Sequence, residues 1–306
     1  MRRTNVIHNP EYRKVPAPRD SGIEQSVMNL TPMPHVWLNG QFLPADSAWL
    51  SISDRGFLLA DGVFETVRAQ GTQPLWLEDH LARLRKGAAT LSIPVPFTDD
   101  VLRAAIDDLL RRGSIEATAL RITLTRGATT RRGLWNPTEV TLTTLLMTVA
   151  SRMPLPAQRL VVARGTRRND FSPLSRMKSL NYGDNLLARK EALERGATDA
   201  LLMNSRENIA CACAGNVFFR VDGIWSTPPE AEGVLPGLAR QRLLRLLPAI
   251  ERPMPVRDLE RVEAALVCNS LDCAVVTYLD GRALALVDKP EACTALYADE
   301  PFQGRR

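Results

Sequence analysis

The sequence predicts an α+β fold divided into two domains. Its 306 residues exceed the usual length of one domain, which is about 100–200 residues. Hydrophobic residues make up 45% of the chain and charged residues 24%, a balance typical of a globular protein with a buried core. Strand-like and helix-like spacing alternate on both sides of residues 151–156, which contain two prolines. We therefore place a small domain at residues 34–150, a linker at 151–159 and a larger domain at 160–306.

The small domain is predicted to follow a polar extension and to open with a hairpin. Residues 1–33 contain several prolines and show no sustained periodicity, so we expect them to pack weakly or not at all. Apolar runs at residues 36–38 and 41–43 flank Asn39-Gly40, a dipeptide preferred in type I′ turns. This pattern predicts a β-hairpin.

Two amphipathic helices and several strands are predicted in the rest of the small domain. The strands are expected at residues 57–59, 63–68, 119–125 and 140–149. The first helix starts near Glu78 and ends before Pro94. The residues on its apolar face are Leu81, Leu84, Ala88 and Leu91. The second helix covers residues 99–112 and ends at Gly113. The residues it is expected to bury are Val101, Ile106, Leu109 and Leu110.

The larger domain is predicted to mix strands and helices without an internal repeat. Its strands are expected at residues 160–164, 200–203, 217–221, 224–226 and 264–268. Its helices are expected at residues 181–195 and 236–247. An Asp-Gly pair at residues 222–223 would form the turn between two of these strands.

Charge and composition argue against several functions. The chain carries 39 basic and 34 acidic residues, a net charge of +5, and the two signs are interleaved. Nucleic-acid-binding proteins usually concentrate positive charge in a stripe, so we expect no nucleic-acid partner. The longest apolar stretch falls short of the roughly 18 residues that span a membrane, so we expect no membrane partner. The polar N-terminus shows no signal peptide.

Cysteine and histidine are poorly placed for a metal centre or a catalytic triad. The five cysteines are an odd number without framework spacing, which suits a cytoplasmic location. Cys211 and Cys213 have no second pair at metal-ligand spacing, so we expect two small buried residues of a strand. Only three histidines are present, which disfavours a Ser-His-Asp triad.

Among the five lysines, Lys178 is the candidate for chemistry. Lys14 lies in the N-terminal extension, and the other three have charged neighbours that indicate solvated side chains. Lys178 is predicted to follow a strand and to precede a helix, where its side chain can enter a cleft. Loss of solvation there would lower the pKa of its amine, as a Schiff-base lysine requires. Spacing alone leaves a surface lysine as the alternative.

Five segments around and beyond Lys178 resemble, in order, motifs of the class IV aminotransferases, the pyridoxal-phosphate enzymes of fold type IV. The segments are SDRGF with DGVFETVR (53–68), HLARL (80–84), KSLNY (178–182), NVF with TPP (216–229) and GVLPGLAR (233–240). The resemblance covers roughly residues 36–290. It implies a small N-terminal α/β domain, a larger C-terminal β-barrel-like domain with helices, and a homodimer.

The resemblance also implies a cofactor site for pyridoxal 5′-phosphate. Lys178 would form a Schiff base with the cofactor and then carry a proton as general acid and base. Tyr182 would hydrogen-bond the phenolic oxygen of the cofactor. The phosphate ligands would be Arg83, the backbone N–H groups of Leu238 and Ala239, and the hydroxyl of Ser270.

Three further residues are assigned to substrate by the same resemblance. Arg132 lies in a loop near the substrate entrance, where a guanidinium could bind a carboxylate in a bidentate manner; a solvated loop arginine is the alternative. Asn269 belongs to a segment that is closer to the lyase members of the family. Leu59, with the alanine after it, replaces an aromatic-Gly pair of the family.

Two departures from the family concern the cofactor itself. By count, Cys211 stands where the family has a Glu that pairs with the pyridine nitrogen. A carboxylate keeps that nitrogen protonated, whereas a neutral thiol is a weak donor without charge. The ring should therefore withdraw electrons less strongly. Ala239 replaces a Thr whose hydroxyl would reach the phosphate.

Three functions remain open at this level. The favoured one is a pyridoxal-phosphate aminotransferase that acts on a small amino acid and a 2-oxo acid. The second is a lyase that eliminates pyruvate from an aminodeoxychorismate-like substrate with the same lysine. The third is a homologue that binds the cofactor but has lost turnover, because Cys211 replaces the carboxylate.

Overall fold

The computed structural model describes residues 35–113, 116–129, 133–134, 143–285 and 290–298. These residues form two β-sheets with helices packed on them, which confirms the predicted α+β class. The first sheet spans residues 35–151 and the second spans residues 158–283. Residues 152–157 connect the sheets.

The first sheet has six strands that all pair antiparallel, in the order β2-β1-β6-β5-β3-β4. The strands are β1 (His35–Leu38), β2 (Gln41–Pro44), β3 (Gly62–Gln70), β4 (Gln73–Pro74), β5 (Ala117–Thr125) and β6 (Thr144–Ser151). The hairpin of β1 and β2 is confirmed. Asn39 and Gly40 both adopt positive φ angles, 48° and 93°, as a type I′ turn requires.

Helices α2 (Leu77–Thr90) and α3 (Asp99–Gly113) cover one face of this sheet and confirm the two predicted helices. Leu81 and Leu84 of α2 are 1% exposed. In α3 the expectation for Val101 is wrong, because this side chain is 45% exposed while its neighbour Leu102 is fully buried. The apolar face of α3 therefore lies one residue away from its predicted position at this end.

The predicted strand at residues 57–59 is wrong, because these residues belong to a short helix, α1 (Arg55–Leu59). The Asp54 carboxylate caps α1 by accepting the N–H of Gly56 at 2.7 Å, and it also accepts the hydroxyls of Thr125 and Thr144. Ala60 then closes the helix in the left-handed conformation, with φ of 54°. Two of these partners lie 71 and 90 residues away, so local pattern does not reveal them.

The second sheet has nine strands, in the order β12-β11-β10-β13-β14-β7-β8-β9, with β15 paired to β14. The strands are β7 (Gln158–Val162), β8 (Asp199–Met203), β9 (Ile209–Ala212), β10 (Asn216–Val221), β11 (Ile224–Thr227), β12 (Ala249–Glu251), β13 (Ala264–Cys268), β14 (Cys273–Leu279) and β15 (Arg282–Ala283). Strand β7 pairs in parallel with both β8 and β14, whereas pairs such as β13 and β14 are antiparallel, so the sheet is mixed. The N–H of Ala212 donates to the carbonyl of Gly215 at 2.9 Å, and this bond turns β9 into β10 so that the sheet curls on itself.

Three helices accompany the second sheet: α4 (Gly183–Glu194), α5 (Leu238–Leu246) and α6 (Glu291–Ala295). The first two confirm the predicted helices, whereas α6 and the strands β12, β14 and β15 were not predicted. Cys211 and Cys213 are both buried, as expected, but only Cys211 lies in a strand, β9, whereas Cys213 follows the end of that strand. No helix within the described ranges has the length and apolar character needed to cross a bilayer.

Candidate active site

Most of the predicted site residues lie around one cavity that opens to solvent and has an empty volume of about 650 Å³ including its mouth. The predicted residues on its walls are Arg83, Lys178, Tyr182, Cys211, Leu238, Ala239, Asn269 and Ser270. A second cavity of about 850 Å³ shares Lys178, Tyr182 and the 269–270 turn with the first and adds Phe64 and Arg121. The two cavities together form one cleft on either side of Lys178, and we call it the lysine cleft.

Lys178 lies on a segment that pairs with the first sheet. Its carbonyl accepts the N–H of Phe64 at 2.9 Å, and the N–H of Leu180 donates to the carbonyl of Gly62 at 3.0 Å. Gly62 allows this close approach, because a Cβ there would lie 2.7 Å from Cδ1 of Leu180 in the lysine segment and 2.5 Å from the carbonyl oxygen of Leu124 on β5. The backbone of the lysine segment is thereby fixed between the two sheets.

The amine of Lys178 lies against aromatic rings. Its Nζ is 4.3 Å from the ring centroid of Phe64 and 5.9 Å from that of Tyr182. These two rings meet edge to face, with centroids 5.3 Å apart. Tyr182 directly precedes α4, so the start of that helix sets its position. The rings hold the lysine side chain in the cleft through their negative faces.

Arg83 is held by a buried carboxylate that sequence reasoning missed. Its guanidinium makes a bidentate pair with Glu65, from Nε to Oε1 at 2.8 Å and from Nη2 to Oε2 at 2.7 Å. His80, one turn before Arg83 on α2, places Nδ1 2.7 Å from the same carboxylate. The Nη1 group of Arg83 donates to the carbonyl of Pro236 at 3.2 Å. Arg83 thus joins α2 to the turn that precedes α5.

The protonation states of Glu65 and His80 follow from their burial and from their contacts with each other and with Arg83. Burial alone would raise the pKa of Glu65, but bonds from Arg83 and His80 outweigh it and hold the pKa at about 2. Burial lowers the pKa of His80, although the Glu65 carboxylate opposes this effect. His80 is therefore a neutral imidazole that donates from Nδ1. Its Nε2 is buried and has no hydrogen-bond partner among the residues described.

The turn before α5 is a further wall of the cleft. Gly237 is the N-cap of α5, and no side chain of the described residues caps the first N–H groups of this helix. A Cβ at Gly237 would lie 2.0 Å from Oδ1 of Asn216, so only glycine fits. Asn216 in turn donates from Nδ2 to the carbonyl of Leu235 at 3.0 Å. The exposed N–H groups at this end suit an anion.

The wall beside β9 carries thiols and, from the loop that follows β7, a cation. Cys211 lines the cavity, and burial raises the pKa of its thiol. Arg168, which sequence reasoning missed, lines the same cavity. Its guanidinium is fixed by the carbonyls of Gly233, at 3.0 Å, and Ser175, at 2.6 Å.

The turn at residues 269–270 is tied to the C-terminal part of the chain. The side-chain oxygen of Asn269 accepts the N–H of Leu271 at 2.8 Å, and its Nδ2 donates to the carbonyl of Ala214 at 3.1 Å. The hydroxyl of Tyr297 donates to the carbonyl of Asn269 at 2.6 Å. The side chain of Asn269 therefore shapes the turn, although the residue lines both cavities.

The substrate side of the cleft differs from the expectation. Arg132 lies outside the described residues. Leu59 ends α1 and is 43% exposed, and it is not part of either cavity wall. Arg121 of β5, which was not predicted, lines the larger cavity, and its guanidinium carbon is 3.9 Å from the centroid of the Phe64 ring. Burial lowers the pKa of Arg121, and no carboxylate of the described residues pairs with it.

The sequence held partial signals for these missed residues. Glu65 sits at a buried position in the alternating strand β3, where a lone carboxylate is costly unless it is paired. His80 and Arg83 are three residues apart on α2 and share a face. The three could have been grouped as polar residues on apolar faces. Arg121 and Arg168 carry no comparable signal, because arginine is abundant throughout this chain.

Comparisons with known proteins agree with this arrangement. The family model for amino-transferase class IV matches residues 62–277. A D-alanine aminotransferase from Listeria monocytogenes serotype 4b is 26% identical over 258 residues, covering 82% of this chain and 89% of the relative. The solved fold IV-transaminase of Curtobacterium pusillum is 26% identical, with a TM-score of 0.74 over 87% of this chain and 99% of that one.

A third likeness concerns the fold alone. A branched-chain amino acid aminotransferase from T.th., solved in complex with N-(5′-phosphopyridoxyl)-L-glutamate, is 23% identical and has a TM-score of 0.77. The match covers 86% of this chain and 91% of that one. The combination of a small antiparallel sheet with a larger curled sheet is thus also found in a solved aminotransferase.

Proposed function

The chain belongs to the amino-transferase class IV family, and we propose that it transfers an amino group between a small amino acid and a 2-oxo acid, with pyridoxal 5′-phosphate anchored at Lys178. One observation carries this proposal. The amine of Lys178, the guanidinium of Arg83 and the uncapped start of α5 line a single cavity of about 650 Å³. An amine and an anion site in one cavity match the aldehyde and the phosphate of this cofactor.

The chain's own groups fit the phosphate end of the cofactor. The N–H groups of Leu238 and Ala239 stand at the start of α5, where the helix dipole favours an anion. The space in front of them is kept open by Gly237, since a Cβ there would collide with Asn216. Arg83 adds a charged donor and Ser270 a hydroxyl on the same cavity.

Lys178 would carry the proton. When bound, the cofactor supplies an aldehyde that takes up amines and a ring that withdraws electrons from the substrate carbon. The amine of Lys178 holds the cofactor and, once released by substrate, can move a proton at the carbon that bears the substrate nitrogen. The rings of Phe64 and Tyr182 keep this amine inside the cleft.

Arg121 would bind the carboxylate of the substrate. It reaches the larger cavity on the same Phe64 ring that Lys178 contacts, and its position on β5 is rigid. An arginine on the cavity wall that has no carboxylate partner among the described residues favours an anionic ligand. Arg132 remains a second candidate for this role.

A homodimer would cover an apolar strip beside α1. The side chains of this strip are Trp49, Leu50, Ile52, Phe57, Leu58 and Leu59. Ile52 is 86% exposed and Phe57 is 76% exposed. Monomers rarely expose contiguous apolar patches of this kind, so a second copy of the chain is the occupant we propose. We also propose a cytoplasmic location, from an odd number of cysteines without framework spacing.

The cofactor linkage is tested by borohydride reduction of the protein loaded with pyridoxal 5′-phosphate. We expect the mass of one reduced cofactor on the peptide that contains Lys178, and no such mass in Lys178→Ala. A panel of amino acids is then incubated with 2-oxo acids, and we expect the amino group to appear on the acceptor. Release of pyruvate from an aminodeoxychorismate-like substrate, incubated without a 2-oxo acid, would instead support the lyase function. A loaded protein that does neither would support the homologue without turnover.

A further inference from the structure

All ionised side chains on the smaller cavity of the lysine cleft are positive. Three cations, Arg83, Arg168 and Lys178, line it. No Asp or Glu side chain of the described residues lines it. Arg83 already has a carboxylate partner in Glu65, whereas Arg168 is held by carbonyl oxygens alone. Arg168 therefore offers a ligand in this cavity a fixed positive charge that no carboxylate of the described residues pairs with.

The geometry of the cofactor decides which wall its ring nitrogen faces. In pyridoxal 5′-phosphate the ring nitrogen lies opposite the ring carbon that bears the aldehyde. The phosphate arm is attached to the ring carbon next to the one that bears the aldehyde. If the aldehyde meets Lys178 and the phosphate meets the start of α5, the nitrogen points away from Lys178. Among the lining residues not already assigned to the cofactor, three have titratable side chains, Cys211, Cys213 and Arg168, whereas the other polar ones, such as Asn185, are neutral.

None of these three groups can hold a proton on the nitrogen. Burial raises the pKa of Cys211 and of Cys213, so both thiols keep their protons at neutral pH. A thiol can donate a weak hydrogen bond to an unprotonated nitrogen, but it carries no charge that would stabilise a protonated one. Arg168 cannot lose its proton, and its positive charge opposes a second positive charge nearby.

A buried carboxylate behind this wall, that of Asp199, is already engaged. Asp199 of β8 is buried, and its Oδ1 accepts the N–H of Ala200 at 2.8 Å. Its Oδ2 lies 3.8 Å from Nη1 of Arg189. Asp199 does not line the cavity, and it raises the pKa of the Cys211 thiol rather than contacting the ligand.

We propose that the pyridine nitrogen of the bound cofactor stays unprotonated in this protein, with the thiol of Cys211 as its hydrogen-bond donor and Arg168 as the fixed charge that opposes protonation. The inference rests on the proposed function, since it requires the cofactor in this cavity. An unprotonated ring withdraws electrons less strongly, so proton transfer at the substrate carbon should be slow. Cys211 and Arg168 would then set the rate through the cofactor rather than through contact with substrate.

The test uses the full chain loaded with pyridoxal 5′-phosphate that carries ¹⁵N in its ring. Retention of the cofactor after gel filtration is measured first. The ¹⁵N chemical shift at neutral pH then reports protonation directly, with the free cofactor below and above its own ring pKa as references. We expect the ¹⁵N chemical shift of an unprotonated ring nitrogen in the native protein and in Cys211→Ser, which keeps a neutral hydrogen-bond donor. In Cys211→Glu we expect the ¹⁵N chemical shift of a protonated ring nitrogen.

Each outcome decides one way. A retained cofactor with a protonated nitrogen in the native protein overturns this inference and leaves the proposed function standing. A protein that retains no cofactor overturns the proposed function and the inference with it. If Cys211→Glu does not fold, the test uses the native protein with a cofactor analogue that has C–H in place of the ring nitrogen. We expect this analogue to bind within about threefold of the natural cofactor, because only a weak thiol bond is lost. A loss of about tenfold or more would indicate a charged bond and contradict the proposal.

Discussion

The backbone N–H of Phe64 donates to the carbonyl of Lys178 at 2.9 Å, so a strand of the first sheet fixes the lysine segment that precedes α4. Next to this bond, Val63 and Ser179 form an isolated antiparallel bridge. The same Phe64 presents its ring to the lysine amine. Position and environment of Lys178 therefore both depend on β3, which lies more than 100 residues earlier in the chain.

This dependence predicts the effect of Gly62→Ala. A Cβ at this position would lie 2.5 Å from the Leu124 carbonyl oxygen and 2.7 Å from Cδ1 of Leu180. We expect the free energy of unfolding to fall by about 1–3 kcal/mol, as for other overpacked sites. Because Leu180 must move, cofactor retention should fall as well. Urea unfolding and gel filtration of the loaded protein measure the two effects.

Gly183→Ala is the matched control, since a Cβ there meets nothing within 4 Å. We expect its stability to stay within about 1 kcal/mol of the native protein. Equal losses in both variants would mean that the close approach at Gly62 does not position the lysine segment.

The Glu65–Arg83–His80 group predicts a loss of stability in acid. The pKa of Glu65 is about 2 in the folded chain against an ordinary 4.5, which contributes about 3 kcal/mol of stability at neutral pH. Because the folded pKa is the lower one, this contribution is complete above about 4.5 and is lost as the pH falls towards 2. The lowered pKa of His80 acts in the same direction, beginning below its ordinary value.

Unfolding by urea across this pH range measures the effect in the native protein and in Glu65→Gln. The variant should be less stable at neutral pH by about 3–5 kcal/mol, because the Arg83 charge loses its buried partner. Its stability should also change less between pH 4.5 and pH 2. Glu263→Gln removes an exposed carboxylate paired with Arg220 and serves as control. A native profile that is flat in this range would contradict the assignment.

Much of the fold could be predicted from the sequence, because its elements follow local patterns. The Asn39-Gly40 turn, the apolar face of α2 and strand β13 follow directly from residue type and spacing. Helix α1 could not be predicted, since its cap residue Asp54 is fixed by Thr125 and Thr144 from other strands. Elements that depend on distant partners carry no local pattern.

The same limit applies to the site. Ordered motifs pointed to Lys178, Arg83 and the turn before α5 as candidate site residues. They did not reveal Glu65 as the partner of Arg83, because the two residues lie on different elements and only the packing of α2 on β3 joins them. Arg168 and Arg121 were missed for a related reason. Their role depends on which carbonyls and rings fix each guanidinium, and residue type alone does not show this.

The proposed role of Arg121 predicts a selective loss of substrate binding in Arg121→Met. Removing a charged donor should raise KM for an amino acid by about 10–100-fold. The control donor is the amine that has the same side chain as this amino acid but lacks its carboxylate. This amine should have the same KM in the variant and in the native protein. Steady-state kinetics with such a pair of donors separates the carboxylate contact from a general disturbance of the cleft.

Arg159→Met is the control, because Arg159 also lies over an aromatic ring, at 4.2 Å from the centroid of Tyr278, but away from the cleft. We expect unchanged KM values in this variant. If Arg121→Met weakens the amine and the amino acid to the same degree, the guanidinium supports the Phe64 ring rather than the substrate.

The apolar strip beside α1 predicts how the chain assembles. Light scattering of the native protein should give twice the chain mass of 33.9 kDa. Phe57→Arg places a charge on a side chain that is 76% exposed, so it should leave folding intact and disfavour burial against a second copy. We expect the variant to elute as a monomer at concentrations where the native protein is a dimer. Ile224→Arg, at a side chain that is 50% exposed on β11, should remain dimeric. A dimer that survives Phe57→Arg and dissociates in Ile224→Arg would place the interface on the second sheet instead, and the strip would then need another occupant.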